Sequence, residues 1–179
     1  MESAWTSLEI VKVIISLITP IIGGIIAFKL TTIGKKIEKK QWFGRKIIEK
    51  RLEFYDSVVP VLNDLYCYYK RVGNWKEITP PEIIDKKRKL DRTFNIYSHI
   101  FKNNIMNSYQ SFIHNCFETY TGSGNDAKIK MELLKRVDLA NWNNDWNNHF
   151  VPEKIVPQTE FENSYFSLLS QIKNELEIE

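Results

Sequence analysis

The sequence predicts an all-α protein, with one N-terminal transmembrane helix followed by a cytoplasmic bundle of about five helices. Three observations carry that expectation. Residues 13–28, VIISLITPIIGGIIAF, hold no charged side chain and lie between Lys12 and Lys29. Downstream, apolar residues recur at spacings of three and four, the period of a helix with one buried face. Nowhere does the chain alternate strictly between apolar and polar residues with hairpin turns, as a half-buried strand would. The expected organisation is a short external N-terminus (1–8), a transmembrane helix (9–33), a basic juxtamembrane segment (34–47) and a helical domain (48–179).

The first element is the span. Sixteen helical residues cover about 24 Å, short of a hydrocarbon core of roughly 30 Å. Lysine stems can snorkel, which lets the helix extend from Leu8 to Ile33, about 39 Å, with both ammonium groups in the headgroups. The acidic start MESAWTSLE and the lack of an A-x-A site after Phe28 speak against a cleaved signal peptide. From Lys29 to Arg51 nine basic residues face only Glu38 and Glu49, whereas the other flank holds Glu2, Glu9 and Lys12. By the positive-inside rule the C-terminal portion is expected in the cytoplasm, with the N-terminus outside. Within this collar Lys35, Lys36, Lys39, Lys40, Arg45 and Lys46 are the expected contacts to anionic lipid. Ser16, Pro20, Gly23 and Ala27, at spacings of 4, 3 and 4, line one face with small residues. Such a seam lets two helix backbones approach closely and suggests a homo-oligomer through the span. The competing reading is that these glycines are merely tolerated in lipid.

The later elements follow from periodicity and punctuation. Ile48, Leu52, Tyr55, Val59, Leu62, Tyr66 and Tyr69 form a 4-3-4-3-4-3 stripe along a long helix, bent at Pro60 and ended by Gly73. The run TPPE at 79–82 reads as N-cap Thr79, first-turn Pro80 and capping-box Glu82. The helix it opens carries Ile83, Leu90, Phe94, Tyr97 and Phe101, with the charged run Asp85–Arg88 turned largely outward. After a break at Asn103 and Asn104, Ile105, Tyr109, Phe112, Cys116 and Tyr120 mark a helix ended by Gly122. Asn125 or Asp126 can cap the next, through Ile129, Leu133, Val137 and Ala140 toward Trp142 and Trp146. Pro152 and Pro157 bracket a connector. Thr159 with Glu162 repeats the capping-box spacing before a last stripe of Phe161, Tyr165, Leu168, Ile172 and Leu176.

Composition narrows the function classes. Of 25 basic and 22 acidic residues, residues 1–40 hold six Lys and three Glu, so the whole net charge of +3 sits at the N-terminal end. A nucleic-acid partner is therefore not expected, since phosphate contacts need a basic face. Cys67 and Cys116, each in a helical apolar pattern, read as buried thiols. His99, His114 and His149 show no zinc-ligand spacing, and no nucleophile–base arrangement can be argued. The expectation is a non-enzyme with no catalytic residues, cofactor or metal.

Three short motifs remain as candidates for a partner or ligand. TGSGNDAK at 121–128 places Gly122, Gly124 and Asp126 before an expected helix start, where exposed N–H groups hold anions. It lacks the P-loop ending, and a helix-to-helix turn is preferred. WNNDWNNH at 142–149 puts Trp142 and Trp146 on one helical face, to grip a partner or, the preferred reading, to anchor a helix end on the bundle. Trp75 in VGNWKE is either a contact residue or a lid on the core, and the sequence does not choose. Asn63 and Asp64, within an apolar stretch, are expected to bond to a neighbouring helix end.

Residues 55–128, carrying YDSVVPVLNDLYCYY, VGNWKEITPPEII, KRKLD and YQSFIHNCFETYTGSGNDAK, resemble a group of small bacterial proteins. Those proteins pair an N-terminal anchor with a cytoplasmic helical domain. The resemblance implies the architecture of membrane-acting effectors of anti-phage defence, and it implies no catalytic residue. The expected role is a membrane-anchored effector or signalling component whose helical domain senses a partner or ligand and whose span self-associates to perturb the membrane. The alternative is a non-catalytic tether docking a cytoplasmic protein.

Overall fold

The computed structural model describes residues 6–101, 104–119, 122–133 and 142–176. Among them are four α-helices: α1 (Ser7–Lys70), α2 (Pro80–Tyr97), α3 (Ile105–Cys116) and α4 (Gln158–Leu176). Short 3-10 turns cover Ser98–Ile100, Asn144–His149 and Pro152–Lys154, and two strands of two residues each, β1 (Phe117–Glu118) and β2 (Lys128–Ile129), pair antiparallel. The protein is therefore all-α. It divides into two units, Met1–Lys46 and Ile47–Glu179.

In the second unit, α1 contributes the central helix of the bundle. It continues through Pro60, which is exposed, so the proline does not interrupt the helix. Its buried stripe is also one residue out of phase with the expected one. Phe54, Val58, Val61, Leu65 and Tyr68 are buried together with Leu62, whereas Leu52 and Tyr55 are exposed and Val59, Tyr66 and Tyr69 half-buried. One residue is about 100° around a helix, so the two stripes are adjoining flanks of the same rod. Both flanks are apolar throughout, and partner helices choose between them. Phe54 is met edge-on by Phe94 at 5.0 Å and by Phe101 at 4.8 Å, while Tyr66 stacks on Tyr165 at 4.3 Å.

α2 starts where TPPE places it. Thr79 N–H and Oγ1 both donate to Glu82 Oε2, and Glu82 N–H returns to Thr79 Oγ1 at 3.5 Å, a closed capping box. The run Asp85–Arg88 is not uniformly outward. Lys87 is buried and bound to Asp91 at 2.6 Å, and Lys86 reaches Asp64 of α1 at 2.7 Å. Asp91 also accepts from Tyr109 Oη on α3, whose ring stacks on Phe94 at 3.8 Å. Burial and the Asp91 carboxylate push the Tyr109 hydroxyl well above its ordinary pKa, which keeps it a donor.

Three later expectations are corrected. α3 ends at Cys116, not at Gly122, because the chain turns extended: Lys130 N–H donates to Cys116 O at 2.9 Å and Phe117 pairs with Ile129. The helix expected from Asn125 is consequently absent over 125–133. Ala127, Ile129 and Met131 are buried at a spacing of two, and Ile129 also bridges Phe150 in parallel. The spacing Ile129–Leu133 suits a helix, yet the burial is that of a strand. Val137, Ala140 and Tyr120 lie outside the described residues. α4 begins at Gln158, one residue before Thr159, with Pro157 O accepting from Glu160 and Phe161 N–H. Thr159 is thus inside the helix, and Glu162 binds the Lys70 ammonium and Gln158 Nε2 instead of closing a box.

Arg51 belongs to this bundle, not to a lipid-facing collar. Its Nε and Nη2 donate to Ile100 O at 3.1 and 2.8 Å, and Nη1 donates to Glu175 O at 2.6 Å. The guanidinium lies 3.3 Å from the buried Glu175 carboxylate and 5.5 Å from the Phe101 ring centroid. One side chain thereby donates to carbonyls near the C-terminal ends of two elements, where a helix runs out of N–H groups of its own.

Candidate functional site

Two regions present functional geometry, one in each unit. In the first unit, α1 is long and apolar enough to cross a membrane, and the most apolar window has no part buried. From Leu8 to Ile33 its isoleucines, leucines and valines are exposed, Phe28 by 75%. Its hydroxyls do not require outside partners. Ser16, Thr19, Thr31 and Thr32 donate to Val13, Ile15, Ala27 and Phe28 carbonyls within the same helix, at 2.8, 2.7, 2.9 and 2.9 Å. Such back-bonding is what a lipid-facing helix demands of its polar side chains.

The four seam residues Ser16, Pro20, Gly23 and Ala27 are exposed, and a Cβ placed on Gly23 meets nothing within 4 Å. At about 100° per residue Gly34 falls on the same arc, two turns beyond Ala27, and extends the strip past the span. Gly34 lies beyond the uncharged run 13–28, so the apolar stretch by itself does not mark it. Lys35, Lys36, Lys39, Lys40, Arg45 and Lys46 are all exposed on the continuing helix, with Trp42 and Phe43 packed edge to face at 5.3 Å between them.

In the second unit, the motifs singled out from sequence are scattered. Gly122 and Gly124 have positive φ, +119° and +78°, and shape the β1–β2 connection. Among the described residues 125–133 no helix begins, so this loop presents no helix-start N–H groups there, and the turn joins two strands, not two helices. Asp126 is bound by Arg88 of α2. Trp142 packs against the core and donates Nε1–H to Asn147 Oδ1 at 3.1 Å, with Trp146 edge-on at 5.4 Å. Anchoring is therefore what Trp142 does, from a position just before a 3-10 turn. Trp75 is half-buried, with the Lys76 ammonium 5.8 Å from its ring centroid. Cys67 and Cys116 are free thiols, the second fully buried.

What the sequence did not single out is a cavity of about 250 Å³ where the ends of α1 and α3 meet β2 and the start of α4. Its lining combines Lys70, Arg71, Asn115 and Lys130 with apolar Val156 and Phe161. Lys70 is neutralised by Glu162, whose carboxyl is held below its usual pKa first by that lysine and then by Gln158. Arg71 has Glu132 only at 3.7 Å, and that carboxylate is 60% exposed. Lys130 is buried and donates Nζ–H to His114 O at 2.7 Å. These residues come from four separate stretches of chain, with no shared motif that could have marked them.

Among the described residues no group of His, Cys, Asp and Glu is arranged to hold a metal ion. No family model, curated protein or solved structure matches this chain.

Proposed function

We propose that the protein is a membrane-anchored effector or signalling component of a bacterial inner membrane. Residues 9–33 are the anchor, and the helical unit that follows is a cytoplasmic sensing module. The carrying observation is the contrast within one helix. Residues 8–33 expose their apolar side chains and internally satisfy their hydroxyls, whereas residues from Phe54 onward close a core. Leaving so many isoleucines in water forfeits about 25 cal/mol for each Å² of apolar surface, which lipid restores. The orientation is supported by the exposed lysines after the span, each worth about 1 kcal/mol near an anionic leaflet.

In this reading the strip Ser16–Pro20–Gly23–Ala27 brings spans together when the module is engaged, and the clustered spans perturb the membrane. Effectors of anti-phage defence with this architecture are the form suggested by the resemblance of residues 55–128.

Alkaline carbonate washing and proteolysis test the anchor. The chain is expected to stay with the membrane and residues 47–179 to resist protease added from outside intact cells. Release into the supernatant would remove the proposal. Crosslinking tests the clustering: oligomers lost in Gly23→Ile support it. A depolarisation-sensitive dye during expression reads the membrane effect, and an unchanged signal with crosslinked oligomers present overturns it.

A simple tether docking a cytoplasmic protein is favoured by one observation. Since every span hydroxyl is bonded within its own helix, no polar group demands a neighbouring span. A chain that remains monomeric in the membrane and copurifies with one protein would decide for the tether.

A further inference from the structure

We infer that the cavity between the ends of α1, α3 and β2 and the start of α4 is a binding site for a small organic oxoanion. Its ligand is a carboxylate or phosphate monoester on a compact apolar or aromatic body. Three features that are each unfavourable in the free protein converge on this one cavity.

The first is Lys130. It is 8% exposed, its ammonium has a single partner in His114 O, and among the described residues no carboxylate pairs with it. An ammonium has three hydrogens to donate, and among the described residues His114 O takes one of them. The second is Arg71, whose buried Nε–H has no acceptor while its Nη2 is held only loosely by Glu132 at 3.7 Å.

The third is backbone strain. Val72 N–H donates to Cys67 O, which closes the end of α1 and places Arg71 at the left-handed position that follows a helix, with φ +59°. Glycine is the ordinary occupant there because a Cβ is disfavoured. An arginine in its place is strained, and strain of this kind is kept at sites where the side chain is needed.

One oxoanion relieves all of this. It supplies the acceptor that Arg71 Nε–H lacks, a counter-charge for Lys130 and a second contact for the Arg71 fork. The amide of Asn115, itself 7% exposed, adds a polar wall. Lys70 is paired with Glu162 and Arg71 with Glu132, which also lines the cavity, so the unbalanced charge is that of Lys130 and suits a head group of one negative charge. Val156 and Phe161 provide the apolar wall for the rest of the ligand, and about 250 Å³ holds a single ring with its head group, not a polymer.

For its biological meaning this site rests on the reading of residues 47–179 as a sensing module, but binding is measured without reference to the span. The full chain is placed in nanodiscs of phosphatidylcholine, which carries no net charge, and titrated calorimetrically with benzoate, phenyl phosphate, inorganic phosphate and benzyl alcohol. Saturable binding of benzoate or phenyl phosphate is expected, and which of the two binds tighter identifies the head group. Inorganic phosphate and neutral benzyl alcohol are expected at least about tenfold weaker, each lacking one half of the recognition.

Lys130→Met and Arg71→Gly should each weaken the anionic probe by about tenfold or more. Arg71→Gly suits the left-handed backbone, and a cooperative unfolding transition of this variant followed by circular dichroism separates loss of binding from failure to fold. The site is overturned if neither anionic probe binds, if benzyl alcohol binds as tightly, or if both variants bind as the parent does. Anchor and clustering are read separately by carbonate washing and crosslinking, so their failure is distinguishable from failure of this site.

Discussion

Individual residues in the bundle carry charge where helix ends need it. The Glu162 carboxyl is held below its ordinary range by the hydrogen bonds from Lys70 and then Gln158. A carboxyl with a lowered folded-state pKa contributes stability that is present above its unfolded value and is lost as pH falls through the folded value. Glu162→Gln should therefore lower the unfolding midpoint at pH 7, and the gap to the parent should close on the acid side, below about pH 4. Denaturant titrations across pH 3–7 check this, and a gap that does not narrow toward the acid end would contradict it. Arg51 acts in a drier setting, since the Glu175 side chain it faces is 2% exposed. Arg51→Met should destabilise by about 3 kcal/mol, because the buried carboxylate loses its guanidinium and Ile100 O loses two donors. Pairing it with Glu175→Met should recover part of that loss, as a chemical-denaturation cycle would read.

Among the elements, α1 shows how an apolar period fixes a helix without fixing its rotation. Phe54 and Tyr55 are neighbours in sequence, yet the first has no exposed surface and the second is 38% exposed. Phe54→Ala should cost about 3–5 kcal/mol and Tyr55→Ala less than about 1 kcal/mol, a contrast measurable by urea unfolding followed through tryptophan emission. Equal losses would mean that the core flank is wrongly assigned. The β1–β2 pair makes the complementary point. Residues 127–133, AKIKMEL, alternate apolar with polar against the expectation that no stretch does so, but Ile129 and Leu133 also fit a helix. Pairing with Phe117 and the bridge to Phe150 decided between them. Both partners lie far enough away in sequence that no local window contains them.

For the molecule as a whole, the consequence is that the two units solve different solvent problems. Residues 47–179 close a core of their own, with Leu62, Phe94, Phe112 and Leu168 without exposed surface. A chain starting at Ile47 should accordingly remain in solution and unfold cooperatively, whereas residues 1–46 fused to a soluble reporter should carry the reporter to the membrane fraction. Circular dichroism on the first and fractionation on the second check both. A truncated chain without a cooperative transition would show that the bundle needs its N-terminal helix for stability.

The sequence by itself determined the all-α class, the apolar helix near the N-terminus, the capping box at Thr79–Glu82 and the buried faces of α2, α3 and α4. All of these rest on contacts between residues a few positions apart, where spacing alone carries the physics. Only the tertiary structure decided which flank of α1 faces inward, that the chain after Cys116 runs extended, and that Arg71, Asn115 and Lys130 share one cavity wall. Those outcomes depend on which distant surface arrives at a given position. A linear period is blind to that, because it records where side chains point around an element and not what they meet.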